Sequence, residues 1–319
     1  MKLAYGVCVL VWCIALLAAC GDKGTNAVGN DRPAQLPLMV QVSAGEFIRG
    51  SNKEDDSGLQ ARYGFVTELY QDEHPEAKVH LDGFWIDVYE VTNKAYKEYM
   101  LKTRRMMPFS WVNNGYALEE TTLQDQDVEK LRKLALDYFK LAVGTRVMQK
   151  PELITAMRAY QVKMDVLPVS GVNWFDAKAF CQWRTARLPT ELEWEKAARG
   201  EDGAEYPWGN EWDAKITNTG DDGLWGEGVA PVGSYKGNKS PYGAYDMAGN
   251  VWEWVSDWYE PYPGSSFKSA VFGKARVIRG GGGGTGHYAI SYFFRGATRQ
   301  FSEPEMESDD VGFRCAKDA

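Results

Sequence analysis

Residues 187–200 read Arg-Leu-Pro-Thr-Glu-Leu-Glu-Trp-Glu-Lys-Ala-Ala-Arg-Gly. Thr190 and Glu193 have the spacing of a capping box, in which each side chain accepts a hydrogen bond from a free backbone N–H of the other residue. The stretch therefore predicts a helix that begins after Thr190. Gly200 is a typical residue for the end of such a helix, because glycine tolerates the left-handed backbone conformation found there.

The chain before this helix contains short strand patterns and two further helices. Thr92 is a suitable N-cap for a helix that runs to about Arg104, and another helix is predicted from Phe175 to Arg184. The strand patterns precede both helices and cover residues 39–43, 46–49 and 79–86. From residue 201 to the end of the chain, turn signals dominate and long loops are expected.

Residues 105–122 contain proline, glycine and an asparagine pair, and they are predicted to form a loop. Residues 125–142 are rich in helix formers and carry apolar residues at helical spacing, which predicts an amphipathic helix.

The composition indicates a globular chain with much irregular backbone. The chain has 319 residues, of which 44% are hydrophobic and 25% are charged, so it can bury a sizeable core. It contains 12 Trp, 17 Tyr and 33 Gly, a composition that favours loops held by aromatic packing. The formal net charge of −8 argues against nucleic acid as the main partner, because phosphate binding needs a concentrated basic face.

The first twenty residues have the pattern of an export signal. Lys2 is followed by an apolar run to Leu17, and Leu17-Ala18-Ala19-Cys20 resembles a bacterial lipobox. The alternative is a transmembrane anchor, but the apolar run is shorter than the roughly 20 residues that span a bilayer. We therefore predict a signal peptide over 1–19, a lipid on Cys20 and a flexible tether over 20–37. The protein would then be a membrane-anchored lipoprotein of the bacterial cell envelope, facing the periplasm or the cell surface.

Seven segments in chain order resemble the formylglycine-generating, or sulfatase-modifying, family. They are Phe84–Asn93, Pro168–Ala177, Arg187–Gly200, Tyr206–Asn210, Gly249–Trp258, Arg276–Gly281 and Gly312–Ala316. The resemblance implies one α+β domain over 38–319, with the family's C-type-lectin-like fold and little regular secondary structure. The stretch from about 104 to 166 is longer than is usual in the family and is predicted to be a helical insertion.

The same resemblance implies two structural calcium sites. Calcium binds six to eight oxygens from carboxylates and carbonyls, and the matching positions supply such groups. One site would use the side chains of Asp246 and Glu253 with the carbonyls of Gly249 and Val251. The other would use the side chains of Asn218 and Asp222 with the carbonyls of Thr219 and Leu224. The alternative is that these acidic and amide residues only form turns and helix caps.

Only two cysteines, Cys181 and Cys315, follow Cys20 in the sequence. An exported compartment permits a disulfide between them, and the alternative is two separate buried thiols. The resemblance implies the disulfide, because the family bridges these two positions.

The family's copper site is missing from the sequence. Formylglycine-generating enzymes oxidise a substrate cysteine with a copper ion that two cysteines hold shortly after the Gly-Gly motif. Residues 282–299 here read GGGTGHYAISYFFRGATR and contain no cysteine. His287 alone cannot replace the two thiolates that Cu(I) selects. Iron-dependent relatives that form sulfoxides use several histidines, whereas this chain has three. We therefore expect no copper and no enzymatic activity.

The composition of residues 282–294 resembles the variable region of proteins diversified by retroelements, which display mutated side chains on a C-type-lectin-like fold. Tyrosine and phenylalanine would supply contact area, while glycine and serine would supply fit. We predict that the loop 282–302 binds an unidentified ligand or protein, with Tyr288, Ile290, Tyr292, Phe293 and Phe294 among the exposed contacts. The predicted ligand-binding residues are Thr285, His287, Tyr288, Ile290, Tyr292, Phe293, Phe294 and Arg295.

Two other functions stay open from the sequence. The chain could be a structural envelope lipoprotein whose insertion at 104–166 binds a protein partner. It could also be an enzyme of the formylglycine-generating type that uses residues not recognised here, because a fold does not fix an activity.

Overall fold

The computed structural model describes residues 38–66, 68–141, 143–220, 228–282 and 290–319. The predicted signal peptide, Cys20 and the tether lie outside the described residues. Within the described ranges, we find no helix with the length and apolar character needed to cross a membrane.

The described chain mixes helices with short strands. The helices are α1 Leu59–Tyr63, α2 Asn93–Thr103, α3 Phe109–Asn113, α4 Glu120–Gln124, α5 Val128–Asp137, α6 Lys150–Met164, α7 Trp174–Trp183 and α8 Glu191–Arg199. Single 3₁₀ turns cover Gln71–Glu73, Val143–Arg146, Ala214–Ile216 and Ser291–Phe294. The strands are β1 Met39–Val42, β2 Gly45–Arg49, β3 Ala77–Leu81, β4 Phe84–Asp87, β5 Trp252–Trp258, β6 Arg276–Arg279, β7 Gln300–Ser302, β8 Val311–Gly312 and β9 Ala316–Asp318.

These strands form three small sheets. Strand β4 lies between β1 and β9 in an antiparallel sheet, so the two ends of the domain meet on one strand. Strands β2 and β3 form an antiparallel pair. The third sheet has the order β7-β6-β5-β8, in which only the β5–β8 pair is parallel. The fold is therefore α+β, as the sequence predicts.

The helix starts predicted at Thr92 and Thr190 agree with the structure because each has its own local cap. The side chain of Thr92 accepts a hydrogen bond from the backbone N–H of Ala95 at 3.3 Å. The capping box at the start of α8 is complete, since Glu193 donates to Thr190 at 3.2 Å and accepts at 2.7 Å. Both contacts are short-range, which is why the sequence predicts them well.

Three predicted elements differ from the structure. The strand expected over 79–86 is divided into β3 and β4, because the chain passes from one sheet to another at Asp82 and Gly83. The helix expected over 125–142 ends at Asp137, and Lys140 adopts a left-handed conformation that a helix excludes. The loop expected over 105–122 contains the short helices α3 and α4.

The predicted insertion packs on a small core of its own. Buried apolar side chains of α4, α5 and α6 form this core, together with Phe139. They are Leu123, Leu131, Ala135, Leu153 and Met157. Polar contacts join the insertion to the preceding segment, for example the 3.0 Å hydrogen bond that the Trp111 indole N–H donates to the side-chain oxygen of Asn93.

Candidate functional site

Residues 290–302, the described part of the C-terminal segment predicted to display contact residues, are largely buried in the structure. Ile290, Tyr292, Phe293 and Phe294 all belong to the hydrophobic core, and Phe294 has no exposed surface. The prediction that these four side chains are exposed contacts is therefore wrong. Thr285, His287 and Tyr288 lie outside the described residues.

Aromatic partners explain why the turn at Ser291–Phe294 is buried. The ring of Tyr292 meets Tyr70 edge-on, with a centroid distance of 4.9 Å. Phe293 contacts the ring of Phe65 at 5.6 Å, and Phe294 stacks on Trp212 at 5.2 Å. These partners come from two distant parts of the chain, residues 65–70 and Trp212, so the turn joins them.

Arg295 is also part of the interior. Its guanidinium donates to both carboxylate oxygens of Glu73, at 2.6 and 2.9 Å, and forms an ion pair with Glu205. A buried guanidinium that forms such charge-assisted hydrogen bonds is held strongly by its carboxylate partners. Arg295 thus holds the segment in place, and its prediction as a ligand contact is wrong.

A second set of buried ion pairs lies beside this segment. Arg299 forms two hydrogen bonds with Glu191, at 2.7 and 2.9 Å, and Arg279 contacts Glu191 at 2.9 Å and Glu195 at 3.0 Å. Burial alone would raise the pKa of Glu191, but the two guanidinium groups outweigh it and hold the pKa below its usual value. The α8 helix is thereby tied to both sides of the C-terminal segment.

Next to the buried turn lies a cavity of about 290 Å³. Its walls combine aromatic and other apolar side chains with charged and amide groups. The lining residues are Phe65, Val66, Glu68, Leu69, Asp72, Tyr259, Tyr292, Phe293, Arg299, Gln300 and Phe301. Tyr292 and Phe293 are the predicted ligand residues that the structure brings to this cavity.

Asp72 is the buried carboxylate in the cavity wall. It accepts a 2.7 Å hydrogen bond from the hydroxyl of Tyr259. Burial raises the pKa of Asp72 to about 6, although the nearby guanidinium of Arg299 opposes the rise. A carboxyl group in this environment changes its charge near neutral pH.

Sequence reasoning missed most of this site. Asp72, Tyr259 and Arg299 come from distant segments, and none of them stands in a local motif that indicates ligand binding. Only the aromatic content of residues 290–302 gave a signal, and that signal did not distinguish a buried wall from an exposed surface.

At the first predicted calcium position, protein donors already bind both carboxylate side chains. Both carboxylate oxygens of Glu253 accept from the guanidinium of Arg314, at 2.7 and 2.6 Å, and one of them also accepts from Trp194 at 2.9 Å. One oxygen of Asp246 accepts from the backbone N–H of Gly233. Across the described ranges, no three acidic, histidine or cysteine side chains are placed to hold a metal ion. A calcium site made by these two carboxylates with the carbonyls of Gly249 and Val251 stays a prediction.

Glu90 lies in the same buried group of carboxylates. One of its oxygens accepts from Asn250 at 3.1 Å, and the other finds no hydrogen-bond partner among the described residues. Burial, together with the negative charges of Asp246 and Glu253, raises the pKa of Glu90 well above its usual range.

The second predicted calcium position is only partly described. Asn218 donates to the Asn250 side chain at 3.0 Å and to the carbonyl of Gly228 at 3.2 Å. Thr219 is buried beside it. Asp222 and Leu224 lie outside the described residues, so this site stays a prediction.

The two cysteines of the domain are joined by a disulfide. Cys181, in α7, and Cys315, just before β9, have Cα atoms 5.6 Å apart and are both fully buried. The other cysteines of the sequence are Cys8, Cys13 and Cys20. No free thiol is therefore left between residues 21 and 319.

Comparison with known proteins agrees with this arrangement. The family described as "Sulfatase-modifying factor enzyme 1-like domain" matches residues 25–319. The chain belongs to the formylglycine-generating family. The mouse formylglycine-generating enzyme is 32% identical over 321 residues, covering 93% of this chain and 80% of the mouse protein.

Relatives in this family are named both as enzymes and as inactive proteins. The mouse protein called "Inactive C-alpha-formylglycine-generating enzyme 2" is also 32% identical, covering 90% of this chain and 87% of its own length. Among solved structures, Treponema denticola variable protein 1 superposes with a TM-score of 0.56 at 20% identity, covering 88% of this chain and 95% of that one. The last match supports the C-type-lectin-like fold. Membership of the family does not by itself decide whether the chain is an enzyme.

Proposed function

We propose that this chain is a non-catalytic binding protein of the formylglycine-generating family, attached to the bacterial cell envelope by a lipid on Cys20. One observation carries the non-catalytic part. The two cysteines that follow Cys20 are joined to each other in the buried disulfide. A copper-dependent oxidation of a substrate cysteine needs thiolate ligands, and the domain has none to offer.

The cavity supports the binding part of the proposal. It is formed by residues 292–301 of the C-terminal segment together with residues 65–72 and Tyr259. Concave sites lined by aromatic side chains with a few converging polar groups are the usual form of a small-ligand site. The segment therefore contributes a wall to a pocket, in place of the flat exposed surface that the sequence predicted.

The decisive experiment is an oxidation assay with copper. The purified domain is incubated with copper, oxygen and a cysteine-containing sulfatase peptide, with the mouse formylglycine-generating enzyme as the positive control. We expect mass spectrometry to show unmodified peptide with this chain and formylglycine with the control. Conversion of the peptide by this chain would overturn the proposal.

The lipid anchor has a separate test. When the full chain is produced in a bacterium, we expect it in the membrane fraction, whereas Cys20→Ser should release it or leave its signal unprocessed. A Cys20→Ser chain that is processed to the same length as the unmodified chain and still fractionates with the membrane would rule out the anchor. Protease treatment of intact cells then distinguishes the cell surface from the periplasmic face.

Burial limits which described residues of the C-terminal segment could vary if the protein were diversified by a retroelement. Replacing a fully buried phenylalanine costs about 3–5 kcal/mol, so Phe294 is unsuited to free variation. Ile290 and Tyr292 are buried in the same way. A nearby near-copy of the 276–315 coding segment that differs at adenines, together with a reverse transcriptase gene, would support diversification. If both are missing from the genomic neighbourhood, this version is wrong.

A protein partner is a second candidate function, and the insertion favours it. The insertion exposes large apolar side chains: Met106 is 87%, Phe109 69% and Val147 81% exposed. Exposed apolar side chains mark an interaction site where they form a contiguous patch. We expect Met106→Ser with Phe109→Ser to abolish co-purification of a partner without changing the melting temperature. Retention of the partner by this double variant would remove the argument.

A further inference from the structure

The cavity beside the C-terminal segment has walls made mainly of aromatic rings. Phe65, Tyr259, Tyr292, Phe293 and Phe301 all line it. Phe301 is 38% exposed, and Val66 and Glu68 at the same cavity are also exposed, so solvent reaches the space between them. The faces of aromatic rings carry partial negative charge and attract cations.

The charged residues in the cavity wall also favour a cationic ligand over an anionic one. Glu68 and Asp72 supply carboxylates, and Arg299 is the one positively charged residue among the lining side chains. The guanidinium of Arg299 is already committed, because it binds both oxygens of Glu191 and the backbone carbonyls of Asp72 and Glu260. Among the described lining residues, an anionic ligand would therefore find no uncommitted cation, whereas a cationic ligand would meet carboxylates.

We propose that this cavity binds a small organic ammonium ion with a short apolar body. The ammonium group would lie against the carboxylates of Glu68 and Asp72, and the apolar body would pack between Phe301 and Phe293. The inference takes from the proposed function only that the chain binds a ligand. It adds the chemical class of that ligand.

The size of the cavity limits the ligand further. Pockets for drug-sized molecules span about 300–1,000 Å³, and this cavity of about 290 Å³ is just below that range. A single ring or short chain that carries one ammonium group fits this volume. A folded protein surface does not enter such a space, which separates this site from the exposed apolar residues of the insertion.

Titration calorimetry with three matched probes tests the proposal. The probes are phenethylammonium, neutral 2-phenylethanol and anionic phenylacetate, which share a ring and a two-carbon or shorter linker. We expect phenethylammonium to bind at least about tenfold more tightly than either of the others, because only it gains from the carboxylates and ring faces. Equal binding of the neutral probe, stronger binding of phenylacetate or no binding of any probe would overturn the proposal.

Variants locate the binding in the cavity. Glu68→Gln and Phe301→Leu change exposed residues and should leave folding intact, and each should weaken phenethylammonium binding several-fold. Asp72→Asn, which keeps the shape of the side chain, should remove most of the preference for the cation. The matched control is Asp246→Asn, because Asp246 is also a buried carboxyl group but does not line the cavity.

The control variant should bind phenethylammonium as the unmodified chain does, provided that its melting curve shows a folded protein. If Glu68→Gln and Phe301→Leu leave the affinity unchanged, the ligand class has been assigned to the wrong site. The copper assay is independent of these results. Peptide oxidation would overturn the non-catalytic function alone, whereas a failure of the three probes would overturn the ligand class alone.

Discussion

At the residue scale, Asp72 makes the stability of the domain depend on pH. Its carboxyl group receives a hydrogen bond from Tyr259 and faces Arg299, while the carboxylates of Glu73 and Glu191 add negative charge nearby. Burial is the largest cause of the raised pKa of about 6, compared with 3.8 for an exposed aspartate. The folded state therefore holds a proton that the unfolded state releases at lower pH.

The direction of the pH dependence follows from the difference between the pKa of Asp72 in the folded and unfolded states. A raised pKa in the folded state gives stability that is complete below the unfolded pKa and is lost as the pH rises through about 6. We compare the free energy of unfolding of Asp72→Asn with that of the unmodified chain. The difference should shift in favour of Asp72→Asn by about 2 kcal/mol as the pH rises from about 4 to about 7. Urea denaturation at both pH values measures this difference. A constant difference between the two proteins would contradict the assignment.

Glu90 and Glu253 are neighbouring buried glutamates with different roles. Glu253 is bound by Arg314, whereas Glu90 has a raised pKa and one oxygen with no partner among the described residues. We expect Glu253→Gln to cost about 3–5 kcal/mol, because it leaves the Arg314 charge buried without its partner. Glu90→Gln should change the free energy of unfolding by less than about 1 kcal/mol near neutral pH, since it replaces a carboxyl group that favours its neutral form.

Adding calcium distinguishes an ion pair between Glu253 and Arg314 from a calcium site that uses Glu253 as a ligand. If the two substitutions are compared by urea denaturation with and without calcium, added calcium should not change the order of their effects. Calcium protection of the unmodified chain that disappears in Glu253→Gln would mean that Glu253 is a ligand after all.

At the element scale, the 3₁₀ turn Ser291–Phe294 acts as an anchor for the C-terminal segment. We expect Phe294→Ala to destabilise the domain by about 3–5 kcal/mol, because the ring is fully buried and stacks on Trp212. Phe301→Ala is the matched control, and it should cost less because Phe301 keeps 38% of its surface in water. Thermal or urea unfolding of both variants gives the comparison. A smaller effect at Phe294 than at Phe301 would contradict the anchoring role.

At the scale of the whole molecule, the disulfide connects two elements that are 134 residues apart in sequence. Closing so long a loop restricts the unfolded chain, and loss of a native disulfide typically costs about 2–5 kcal/mol. We expect the double variant Cys181→Ala, Cys315→Ala to lose stability in this range. The unmodified chain should approach the same stability when a reductant is present. Equal stability of the oxidised protein and the double variant would contradict the prediction.

Much of the fold could be predicted from the sequence because its signals are local. The capping box at Thr190 and the N-cap at Thr92 each involve residues three positions apart, so the sequence shows both partners. The strand at 79–86 was predicted less well. Its division at Gly83 depends on pairing with two different strands, and that pairing is a long-range property.

The residues of the candidate site could be found only in the tertiary structure, because their contacts are also long-range. The sequence by itself determined the family, the α+β class and the missing copper ligands, because residue identity is enough to show them. Only the tertiary structure decided that Tyr292 and Phe294 face inward, since burial depends on partners such as Tyr70 and Trp212 that are distant in the chain. It likewise brought Asp72 to the C-terminal segment, where the fold encloses the cavity.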